Sequence, residues 1–125
     1  MTMVSPAAET GGGYRVETAT GVVDIDRDEW TAVVRRGGGT VFHTWEWLAA
    51  FEEAPPGVFE PAHLLAYHAD VLVGICPAYL VHRCPRLDYL ASLAGIELGG
   101  PILLAHSLAA FTGGPVCMPE HASSV

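Results

Sequence analysis

The fold is decided by residues 63–75, in which two apolar runs, His63-Leu64-Leu65-Ala66-Tyr67 and Val71-Leu72-Val73-Gly74-Ile75, flank the short segment His68-Ala69-Asp70. Two short apolar runs separated by a small polar turn predict a β-hairpin. Pro77 follows the second run and lacks a backbone N–H donor, so it marks an edge, a bulge or the end of that strand.

The register of this hairpin depends on its loop. A two-residue loop at Ala69-Asp70 predicts three cross-strand pairs, namely His68 with Val71, Ala66 with Val73, and His63 with Cys76. A slip by one residue is the alternative. Both faces of the hairpin are then mainly apolar, so each face needs a covering layer, which indicates an α/β arrangement.

One covering helix is predicted ahead of the hairpin, from Asp26 to Arg36. Asp26 and Glu29 have the spacing of a capping box, and Arg35 and Arg36 stand at the end where the helix dipole favours cations. Gly37 to Gly39 ends the helix. Three apolar residues at positions i, i+3 and i+4 form its buried face: Trp30, Val33 and Val34.

A second helix is predicted over residues 45–54. The hydroxyl of Thr44 can cap its first turn, and Pro55-Pro56 stops it. Glu46 and Glu53 fall on the solvent side, so neither glutamate is predicted to be catalytic. The apolar face comprises Trp47, Leu48, Phe51 and Ala54.

The flanking segments show weaker patterns. Residues 14–25 predict a strand or a short hairpin, because apolar and polar residues alternate from Tyr14 to Thr18 and Val22, Val23 and Ile25 follow Gly21. After residue 83 the predictions are a strand over Leu87–Leu93, a turn at Gly99-Gly100-Pro101, a strand followed by a short helix over Ile102–Phe111, and a turn followed by a polar tail over Gly113–Val125.

The predicted fold class is α/β (α+β), with a mixed, mostly antiparallel sheet and two N-terminal helices in one domain over residues 14–125. The sheet has no closing element after Gly113, so the fold is expected to be incomplete. Residues 1–13 are predicted to be a disordered leader. They contain Glu9 and no basic residue ahead of an apolar run, and therefore lack the features of a secretory signal.

Composition excludes several classes of function. The chain has 125 residues, of which 50% are hydrophobic, so it can form one core, and its formal net charge is -8. Its six basic residues are all arginines and only Arg35 and Arg36 adjoin, which argues against binding of nucleic acid. The apolar stretch Leu90–Phe111 contains Glu97 and Pro101, so it is not predicted to span a membrane.

Cysteine and histidine usage gives no metal or nucleophile signal. The three cysteines, Cys76, Cys84 and Cys117, are odd in number and lack C-x-x-C spacing, which predicts a reducing, cytoplasmic location. Zinc-ligand spacing is absent, although the hairpin register brings His63 beside Cys76. Metal-binding, cofactor-binding and catalytic residues are therefore not assigned from spacing. The glycine clusters match neither G-x-G-x-x-G nor the phosphate-binding loop with lysine, and are interpreted as turns.

Three segments in order carry a family resemblance: Phe42-His43-Thr44-Trp45-Glu46-Trp47-Leu48, Leu72-Val73-Gly74-Ile75-Cys76-Pro77-Ala78-Tyr79-Leu80, and Gly99-Gly100-Pro101. Together they resemble the opening half of the GNAT-related acyltransferases, and more narrowly the FemAB-like branch, whose members are associated with peptidoglycan biosynthesis or recognition. In that branch a helix start is followed by a hairpin strand and a Gly-Gly-Pro turn. The resemblance covers about residues 40 to 104.

The resemblance implies a transferase that moves an acyl or aminoacyl group from acyl-CoA or aminoacyl-tRNA to an amine. The cofactor loop of that family, [RQ]-x-x-G-x-[GA], has no match, since Arg36 and Gly39 supply only its first two elements and precede the hairpin. That loop would hold pyrophosphate at a helix N-terminus, so this chain is expected to lack a cofactor site and to be inactive alone. We therefore expect a truncated or N-terminal region that self-associates or requires a missing C-terminal half. The alternative is a small non-enzymatic binding or assembly module.

Overall fold

The computed structural model describes residues 4–10, 12–54, 58–83, 85–97, 99–105 and 113–123. Within them lie a five-stranded sheet, in the order β1-β2-β4-β5-β8, and a three-stranded sheet, in the order β3-β6-β7. All recorded pairings are antiparallel. The elements are β1 (Val4–Thr10), β2 (Tyr14–Ala19), α1 (Arg27–Arg36), α2 (Trp45–Glu53), β3 (Val58–Pro61), β4 (His63–His68), β5 (Val71–Cys76), β6 (Tyr79–Arg83), α3 (Pro85–Leu93), β7 (Ile102–Leu104) and β8 (Val116–Cys117).

The mixed α/β class and the two helices ahead of the hairpin are confirmed, but two antiparallel sheets replace the predicted single mixed sheet. The leader predicted to be disordered instead contains β1, which pairs with β2 from Val4 opposite Ala19 to Thr10 opposite Tyr14. Gly12 and Gly13, both with positive φ, reverse the chain between these strands. The small residues and the proline of β1 conceal it, because its contribution to the sheet is backbone pairing at an edge.

The hairpin at residues 63–76 is confirmed, and its register is corrected. Ala69 and Asp70 both have positive φ, as a type I′ turn requires, and His68 pairs with Val71 as predicted. A bulge then shifts the register by one residue. The predicted pairs of Ala66 with Val73 and of His63 with Cys76 are therefore wrong. The observed pairs are Ala66 with Gly74, Leu65 with Ile75, and Leu64 with Cys76.

The bulged residue Val73 takes part in the next strand pair. Its carbonyl oxygen accepts a hydrogen bond of 2.8 Å from the N–H of Met118, just after β8, and β8 pairs with β5. The polar tail predicted after Gly113 thus contains the edge strand of the larger sheet, and the prediction that no closing element follows is wrong. A strand of two residues leaves almost no alternation from which to predict it.

The starts of α1 and α2 were predicted correctly. The carboxylate of Asp26 accepts the N–H of Glu29 at 2.9 Å, and the hydroxyl of Thr44 accepts the N–H of Trp47 at 3.3 Å. The predicted buried face of α1 is confirmed, with Trp30 and Val33 fully buried. On α2 the buried positions are Leu48 and Phe51, whereas Trp47 is half-buried and Ala54 is exposed. The stop predicted at Pro55-Pro56 lies outside the described residues.

Residues 22–24 form a 3-10 turn, so the prediction of a strand or hairpin holds for β2 and fails beyond it. The backbone of this turn bonds to side chains of α2. The N–H of Val22 donates to Glu52 at 2.8 Å, and the indole Nε1 of Trp45 donates to the carbonyl oxygens of Val22 and Ile25. The N–H of Val22 and the carbonyl oxygens of Val22 and Ile25 are therefore not free to pair with a neighbouring strand.

Residues 85–93 form the helix α3, so the predicted strand over Leu87–Leu93 is wrong. Pro85 opens the helix, where its missing N–H costs nothing. A Schellman motif closes it, because the N–H of Ile96 bonds to the carbonyl of Ala91, the N–H of Gly95 bonds to that of Ser92, and Gly95 has φ +69°. The strand predicted from Ile102 is confirmed as β7. The short helix predicted after it, within Ile102–Phe111, falls mainly on residues 106–111, which are outside the described part.

The main core lies between the larger sheet and α1 and α2. It includes Trp30, Leu48, Leu65 and Ile75. The C-terminal end of α1 approaches β8 closely: a Cβ atom at Gly37 would lie 2.5 Å from a methyl carbon of Val116. Any residue can adopt the φ of -85° found at Gly37. The close approach of β8, and not the backbone conformation, therefore requires glycine at this position.

Candidate functional site

A carboxylate, an imidazole and a phenol meet between α2, β4 and β6. The carboxylate of Glu52 accepts three hydrogen bonds: from the N–H of Val22 at 2.8 Å, from His63 Nε2 at 3.0 Å and from the hydroxyl of Tyr79 at 2.8 Å. His63 and Tyr79 are essentially inaccessible to solvent, and the Glu52 side chain is 11% exposed. We call Glu52, His63 and Tyr79 the carboxylate network.

The surroundings of His63 determine its tautomer. Its Nδ1 accepts the N–H of Ala78 at 3.2 Å, so in the neutral ring the proton resides on Nε2 and points at Glu52. Edge-on contacts with the rings of Trp30 and Tyr79 hold the imidazole plane. Both nitrogens are thus engaged by the protein.

Burial and the neighbouring Glu52 raise the pKa of Tyr79 far above its usual value, so the phenol stays protonated and acts as a donor. Every atom of the carboxylate network that can bond has a partner within the chain. An open depression of about 270 Å³, lined by Val23, Ala49, Glu52 and Glu53, lies beside it. Because both oxygens of Glu52 already accept hydrogen bonds, the network is arranged to join α2 to the two sheets.

Sequence reasoning missed Glu52. The signal that could have identified it is its position four residues after Leu48 and next to Phe51, which places a carboxylate on the apolar stripe of α2. A buried carboxylate needs partners, and His63 and Tyr79 lie on strands that face this helix. The prediction that Glu46 and Glu53 are solvated charges is confirmed, and Glu46 pairs with Arg27.

The candidate metal ligands do not come together. His63 pairs with Ala19 and faces the helices, whereas Cys76 pairs with Leu64 on the opposite face of the sheet. Burial raises the pKa of the Cys76 thiol. In the described part of the chain, no three side chains among His, Cys, Asp and Glu converge as metal ligands would. Cys84 is outside that part.

A second buried histidine, His43, also has a local role. Its Nδ1 accepts the N–H of Thr40 at 3.0 Å, and its Nε2 contacts the carbonyl oxygen of Gly114 at 3.3 Å. Its own carbonyl accepts the indole N–H of Trp30 at 2.7 Å. Of the side chains that the structure describes, none has a buried polar atom without a partner. These polar groups stabilise the fold.

The surface of α3 differs from the rest of the molecule. Tyr89, Leu90, Leu93 and Ile96 are each between 54% and 67% exposed, whereas Leu87 packs against the core. Tyr89 and Leu93 are spaced i and i+4 and therefore share one side of the helix, whereas Ile96 follows the turn that ends it. We call these four exposed side chains the α3 surface. Exposed apolar residues that cluster on one element mark interaction sites in soluble proteins.

Comparison of the chain with protein-family models, with curated proteins and with solved structures finds no match. Among the described residues, no helix combines the length and apolar character needed to cross a bilayer. The α3 surface and the carboxylate network are therefore interpreted from their own chemistry.

Proposed function

We propose that this chain is a non-enzymatic binding or assembly module whose contact site is the α3 surface. The observation that carries the proposal is that α3 leaves four large apolar side chains more than half exposed. Covering one exposed leucine stabilises a complex by about 1–2 kcal/mol, so a partner that covers all four supplies a useful driving force.

The carboxylate network is explained by its contribution to stability and does not require a functional role. The carboxylate network is satisfied internally and links α2 to both sheets, which accounts for a buried glutamate by stability alone. The α3 surface, in contrast, adds nothing to the core, because Leu87 alone among the large apolar residues of α3 joins it.

A matched pair of variants tests the proposal. Leu93→Ser removes an exposed apolar side chain from α3, and Val23→Ser removes one of similar exposure from the 3-10 turn at residues 22–24. The probe is a synthetic amphipathic helical peptide with leucines on one face and only serine and glutamine on the other. We expect the chain to bind this peptide, Leu93→Ser to bind at least about tenfold more weakly, and Val23→Ser to bind normally.

Stability measurements complete this test. Because Leu93 is exposed, Leu93→Ser should change the free energy of unfolding by less than about 0.5 kcal/mol. A loss of more than about 1.5 kcal/mol would mean that Leu93 packs within the chain, and would refute its role in a contact site. Equal peptide binding by Leu93→Ser and the unsubstituted chain would also refute it.

A second candidate is the N-terminal region of an acyl- or aminoacyl-transferase that lacks its own cofactor site. The positions of the resembling segments favour it: Thr44 begins a helix, the strand over residues 71–76 ends before Pro77, and Gly99-Gly100-Pro101 precedes a strand. We expect no heat of binding when acetyl-CoA is titrated into the chain, since the pyrophosphate loop is missing. Micromolar binding would instead support a cofactor site of its own.

A further inference from the structure

We propose that the α3 surface binds a basic amphipathic helix, and that a lysine or arginine of that helix lies between Asp88 and Glu97. This inference rests on the proposed binding function and adds the chemistry of the partner. Three observations support it: the exposed apolar side chains of α3, a groove beside them, and the negative charge of the groove and of the whole chain.

The groove is formed by the way α3 ends. The Schellman motif turns the chain at Gly95, so that Ile96 folds back toward Ala91. The result is an open groove of about 450 Å³, lined by Asp88, Ala91, Ser92, Gly95, Ile96 and Glu97. Gly95 adds no side chain to this lining, and its φ of +69° favours glycine at the turn.

The groove and the apolar stripe adjoin. Asp88 and Ser92 precede Tyr89 and Leu93 by one position each, so they run along the same length of helix about 100° away. Ile96 belongs to both features, since it lines the groove and is one of the four exposed side chains of the α3 surface. A helix of two to three turns laid along the stripe would place a side chain from its flank in the groove.

Charge selects the partner. Asp88 and Glu97 are exposed, and neither forms an ion pair with the arginines whose side chains the structure describes, which are Arg15, Arg27, Arg35 and Arg36. The whole chain has a net charge of -8 and no lysine, which favours approach of a basic partner over a second acidic copy. Arginine and lysine also carry apolar stems that pack along a groove such as this one.

Three peptides test the inference. They share one leucine face and differ on its flanks, which carry lysine, glutamate, or serine and glutamine. Affinities are measured by fluorescence anisotropy at low and at high salt. We expect the lysine peptide to bind about tenfold more tightly than the neutral peptide at low salt, and the glutamate peptide more weakly than both. High salt should remove most of the difference.

Variants assign the effect to the groove. The double variant Asp88→Asn with Glu97→Gln should lose the preference for lysine while it keeps its affinity for the neutral peptide. Glu53→Gln, an exposed carboxylate on α2, is the control and should retain the preference. Loss of the preference in Glu53→Gln would mean that overall charge is responsible, and would overturn the assignment to the groove.

The outcomes separate this inference from the binding function. If all three peptides bind equally and Leu93→Ser abolishes binding, the result supports the binding function of the α3 surface and refutes the preference for a basic partner. If none binds, the binding function fails as well. Tight self-association detected by sedimentation, or binding to uncharged phosphatidylcholine vesicles in preference to the lysine peptide, would identify a second copy or a membrane as the occupant and overturn the proposal.

Discussion

Glu52→Gln is the most informative single substitution in the core. The glutamate accepts hydrogen bonds from three donors, namely the N–H of Val22, His63 Nε2 and the hydroxyl of Tyr79. A glutamine of the same shape offers one acceptor oxygen and one amide group that only donates. Whichever way the amide is oriented, a donor therefore faces a donor.

The two orientations have similar costs. With the amide oxygen toward His63 and Tyr79, the amide nitrogen faces the N–H of Val22. With the amide reversed, it faces His63 Nε2–H, and His63 cannot shift its proton because Nδ1 already accepts the N–H of Ala78. A hydrogen bond to a charged group contributes about 1.5–3 kcal/mol, and an unsatisfied buried donor costs about 1–3 kcal/mol. We therefore expect Glu52→Gln to destabilise the fold by about 3 kcal/mol.

Urea denaturation followed by tryptophan fluorescence measures this loss, because Trp30 packs edge-on against His63. The control is Glu53→Gln, which makes the same chemical change at an exposed neighbour and should shift the free energy of unfolding by less than about 0.5 kcal/mol. Equal stabilities of the two variants would refute the network. A double-mutant cycle of Glu52→Gln with Tyr79→Phe should show a coupling of about 1 kcal/mol or more.

Three further predictions concern the same core. Phe51→Ala should cost about 3–5 kcal/mol in urea denaturation, since the Phe51 ring is buried and stacks on Phe59 at 5.0 Å between ring centres; a smaller loss than about 1 kcal/mol would contradict this packing. The raised pKa of Tyr79 favours its protonated form in the fold, so stability falls as pH rises above the ordinary tyrosine value near 10, by about 1.4 kcal/mol per pH unit, and Tyr79→Phe should fall less steeply in the same titration. Gly37→Ala should destabilise by about 1–3 kcal/mol in thermal or urea unfolding because its Cβ would overlap β8, whereas Gly99→Ala, at which no atom lies within 4 Å, should have little effect.

Local signals predicted α1 and α2 well, but they did not predict α3 or the edge strands of the larger sheet. The caps at Asp26 and Thr44 act within a single turn, so the sequence near them is sufficient to place α1 and α2. The carbonyl oxygen of Val73, the bulged residue of β5, accepts a hydrogen bond from the N–H of Met118, and these two residues are far apart in the chain. No pattern within the hairpin contains that information, and the predicted register was wrong for this reason.

The carboxylate network and the α3 surface also could not be predicted from local sequence patterns. His63 was noted as a possible metal ligand beside Cys76, and the one-residue shift places the two on opposite faces. Its actual partner, Glu52, is eleven residues away on a helix and becomes evident only when α2 packs on the sheet. The α3 surface was hidden because the apolar run 87–93 was interpreted as a strand, although its helix-ending Gly95 was visible in the sequence.

The late position of β8 in the chain affects how the molecule folds. The hairpin over residues 63–76 closes through a two-residue turn, whereas the outer edge of β5 is covered only when Val116 pairs with Ile75. The same C-terminal segment also brings Glu120 to Arg36, which precedes it by 84 residues. Closing a longer loop costs more chain entropy, so non-local pairing of this kind forms more slowly than the hairpin. While the chain folds, β5 therefore presents an unpaired edge to other chains until its own C-terminal segment arrives.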